Sequence, residues 1–64
     1  MWTVVYIAPS VSLAEQLKDR LSKEGLLVTL RAVGAVSLKD AKAIEVLVPE
    51  TEAEEASEII NEYF

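Results

Sequence analysis

Val5-Tyr6-Ile7-Ala8-Pro9 runs into Ser12-Leu13-Ala14-Glu15, and forty residues later Glu45-Val46-Leu47-Val48-Pro49 runs into Thr51-Glu52-Ala53-Glu54. Each unit is an apolar strand, a proline that stops it, and a Ser/Thr-x-x-Glu capping box that opens a helix. Between the two units, Leu13, Ala14, Leu17 and Leu21 recur at helical spacing and predict an amphipathic helix with one buried stripe. Ser12 is its expected N-cap, with Glu15 reaching back. Gly25 suits the left-handed position of a Schellman termination, in which Leu21 and Leu26 meet.

Leu26 to Ala32 reads as a second strand, with Val28 and Leu30 on one face and Leu27, Thr29 and Arg31 on the other. Val33 to Lys42 is a long connection around Gly34, with room for a short helical turn. Ala43 to Val48 is the third strand, and a second helix places Ala53, Ala56, Ile60 and Tyr63 on its apolar stripe, widened by Ile59 and Phe64.

The order βαββα predicts an α+β domain covering residues 1–64: a ferredoxin-like plait lacking its last strand, with both helices on one face of a three-stranded mixed sheet. In that reading strand one lies parallel to strand three and forms an edge. Trp2 to Ile7 contains no lysine or proline to blunt such an edge, so pairing with a second chain is expected.

Composition narrows the function. A chain of 64 residues buries only about 60% of the surface its unfolded form exposes, and its 52% apolar content allows both a patterned core and self-association. There is no cysteine to supply disulfides or thiolate metal sites, which points to a cytoplasmic location. The opening segment lacks the basic start of a targeting signal and meets Pro9 too soon to span a bilayer, so no membrane role is expected. The net charge is −5; residues 45–64 hold seven glutamates and no basic residue, and the six Lys/Arg are scattered. No basic footprint for nucleic acid results.

Histidine is absent as well, which removes the commonest general base and metal ligand together with the thiol nucleophile. No catalytic residue, metal site or cofactor is expected, and the chain does not read as an enzyme. Glu54, Glu58 and Glu62 line one helix face at i, i+4 and i+8 and read as a solvated acidic surface. Two places remain. If both helices start at the same end of the sheet, Ser10, Ser12 and Glu50 meet there and form a candidate small-ligand or anion site. If Val5 and Ile7 point to the core, Trp2, Val4, Tyr6 and Leu47 lie on the open sheet face beside Leu27, Thr29, Arg31 and Glu45. That apolar surface is the candidate protein interface.

Val46-Leu47-Val48-Pro49-Glu50, with Ala53-Glu54-Glu55-Ala56 and Ile59-Ile60, resembles the family of small prokaryotic signal-transducing proteins, and Val5 to Ser10, Ala14, Glu15, Leu17 and Glu24-Gly25 agree with it. The resemblance implies a compact βαββα regulatory domain and brings no catalytic residues; the connection from Gly34 to Lys42 departs from it. The chain is also similar to short proteins labelled glutamate decarboxylase. Decarboxylation through pyridoxal phosphate needs a Schiff-base lysine in an enclosed cofactor pocket, which a chain of this size cannot build. The combined expectation is a non-catalytic interaction or regulatory module, homodimeric and open to a further protein partner, with a ligand-sensing domain as the competing reading.

Overall fold

The computed structural model describes residues 1–34 and 40–64. Strand β1 spans Trp2–Ala8, helix α1 Val11–Lys23, strand β2 Thr29–Val33, strand β3 Ala43–Pro49 and helix α2 Ala53–Tyr63, with a 3-10 turn over Glu50–Glu52 leading into α2. This is the βαββα order, and the sheet order is β1-β3-β2. The helical turn expected in the long connection falls on residues 35–39, outside the described residues.

Strand direction differs from expectation. β3 pairs antiparallel with both β1 and β2, so the sheet is antiparallel throughout rather than mixed. The cause is the crossover: α1 carries the chain back to the end where β1 began, so β1 and β2 are the parallel pair, separated by one strand position. β3 then returns in the opposite sense and fills the gap.

One face of this sheet carries both helices. Ile44, Val46 and Val48 of β3 are fully buried and pack with Ala14, Leu17 and Leu21 of α1 and with Ala56, Ile59 and Ile60 of α2. Burying each large aliphatic side chain among these contributes about 1.5–3 kcal/mol of transfer free energy. Three alanines at zero exposure, Ala8, Ala14 and Ala56, let strand and helices approach closely. The helices also touch each other, where the Arg20 guanidinium lies 3.6 Å from the centre of the Tyr63 ring.

Helix starts depart from the capping boxes. α1 begins two residues early, and its N-cap is Ser10, whose hydroxyl accepts from the Leu13 amide at 3.2 Å. Beginning there makes Val11 helical and lets it pack against the core. α2 has no side-chain cap, since the 3-10 turn supplies its first bonds and Thr51 lies inside that turn. Glu52 instead accepts from the Leu27 amide at 3.1 Å and so ties the α2 entrance to the start of β2.

The end of α1 is the Schellman motif that Gly25 suggested. The Leu26 amide donates to the Leu21 carbonyl and the Gly25 amide to the Ser22 carbonyl, with Gly25 at φ +90°. Leu21 and Leu26 both enter the core. An alanine Cβ at position 25 would meet no atom within 4 Å, so its cost is backbone strain alone. Gly25→Ala is expected to destabilise the fold by about 1–2 kcal/mol, read as a lower thermal midpoint in a circular-dichroism melt, whereas Gly25→Asn should recover part of the loss.

Candidate functional site

The antiparallel placement of β1 and β3 separates the residues of the expected ligand site. Ser10 follows the C-terminal end of β1, while Glu50 sits at its N-terminal end, where its amide donates to the Met1 carbonyl at 2.8 Å. The seven residues of β1 put about 20 Å between them. Ser12 stays near Ser10 in the first turn of α1, exposed to solvent. Ser10, Ser12 and Glu50 therefore form no common site; the expectation failed because it assumed that both helices start at the same end of the sheet.

The open sheet face survives in altered form. Its geometry turns on an irregularity in β1: Thr3 pairs with Val48 and Val4 with Leu47, but Tyr6 pairs with Val46, so Val5 is the extra residue of a bulge. The bulge reverses the alternation beyond it. Val5 and Tyr6 both pack against the core beneath the helices, and Ile7 turns outward opposite Glu45, 59% exposed. Tyr6 is accordingly not an open-face residue, contrary to the strict alternation read from sequence.

Trp2 and Val4 remain on the open face at 47% and 38% exposure, and Leu47 lies between Val4 and Thr29. Leu47 is almost fully covered and stands outside the core cluster formed with the helices. Val33, opposite Ala43, adds an exposed apolar side chain on the far strand. In the middle of the face the Arg31 guanidinium is paired with the Glu45 carboxylate across adjacent strands. Sequence reasoning missed Ile7 and Val33. For Ile7 the usable signal was Glu45, the single charged residue inside β3, whose register partner must share its outward side.

Elsewhere the described residues enclose no pocket and hold no cluster of three or more acidic side chains placed to bind a metal ion. Glu54, Glu58 and Glu62 are exposed on the outside of α2. Among the described residues, no helix is long and apolar enough to cross a membrane. Comparison of the chain with protein-family models, with curated proteins and with solved structures finds no match in any of the three.

The hydroxyl of Ser10 is engaged in capping and that of Ser12 is not, which separates a structural role from a ligand-binding one. Ser10→Ala should lower stability by about 1 kcal/mol and Ser12→Ala by no more than a few tenths, measured by urea denaturation of each variant. A phosphate-dependent rise in midpoint that disappears in Ser12→Ala would reverse that assignment.

Proposed function

We propose that this chain is a small, non-catalytic interaction module that works by self-association in the cytoplasm, in keeping with its resemblance to small prokaryotic signal-transducing domains. The observation that carries the reading is the open sheet face, where Trp2 and Val4 lie exposed on β1 at the level of Pro49 and Leu47, and Ile7 and Val33 lie exposed further along, opposite Glu45 and Ala43. Aromatic and aliphatic side chains grouped on one flat surface suit contact with protein, since water gains most when such a surface is covered.

Two further features support the same reading. β1 and β2 both leave one side of their backbone without a strand neighbour among the described residues, so the sheet can accept contact at its margins as well as on its face. Among the outward strand positions the hydroxyl of Thr29 lies opposite Leu47 rather than a base, and the Glu45 carboxylate is engaged by Arg31, which favours a non-catalytic role for this face. Ligand sensing loses the site that would have carried it, because Ser10 and Glu50 stand at opposite ends of β1.

Sedimentation velocity across a concentration series tests the proposal. The expected result is a weight-average mass that rises from the 7.0 kDa of one chain toward twice that value, reversibly on dilution. A mass that stays at 7.0 kDa up to millimolar protein would sink self-association.

A further inference from the structure

We draw no further inference here: the strongest candidate, the apolar open sheet face on which Trp2, Val4, Ile7 and Val33 lie exposed, carries none because nothing in the structure shows what covers it.

Discussion

Val5 and Tyr6 share the space opposite one residue of β3, Val46, and the architecture of the sheet depends on how that crowding is resolved. Both side chains turn toward the helices, which adds apolar volume to the core beside Leu17 and Leu21. The accommodation also puts Ala8 on the inner side opposite Ile44, fully buried. Strict alternation from Thr3 would have sent Ile7 inward and Ala8 outward. The bulge thus places the small Ala8 inside and the large Ile7 outside.

Much of this was legible in the sequence, and the parts that were not have identifiable reasons. The element order, the buried stripes of both helices and the Gly25 termination follow from periodicity and from the backbone demand for a positive φ, which local residues express directly. The phase of β1 does not. Val4-Val5-Tyr6-Ile7-Ala8 is apolar throughout, so no polar residue marks which positions face water, and a one-residue irregularity leaves no trace in composition. Strand direction depended on topology rather than on local pattern, and Ser10 and Ser12 are equally good caps until Val11 is seen to be needed in the core. Of the candidate interface, Trp2, Val4 and Leu47 could be placed from the pleat alone. Tyr6, Ile7 and Val33 required the register.

Charge is distributed by layer. α1 closes with Arg20 and Lys23 in its last turn, where they complement its dipole, and Lys23 pairs with Asp19 at 3.1 Å. α2 opens with Glu54 and Glu55 for the same reason at the other pole. Because α1 descends from the end of β1 and α2 ascends from the end of β3, the two dipoles oppose one another, and neither end of the molecule gathers both positive poles. Arg20 joins the layers sideways: it lies over Tyr63 and sits 3.6 Å from Glu24, so one side chain links the end of α2 to the last turn of α1.

The central position of β3 has a consequence for how the chain is made. On a ribosome, β1, α1 and β2 all emerge before any hydrogen-bonded strand neighbour exists for either strand, since each pairs with β3 and not with the other. Until residues 43–49 appear, the nascent polypeptide holds a helix and two solitary apolar segments. Sheet formation then requires closing a loop of about 45 residues between Thr3 and Val48, a non-local step that slows folding relative to a hairpin. The segment that welds these three strands together is the last of the three to be synthesised, and the interval before it arrives is when Val4 to Ile7 are most open to adhesion.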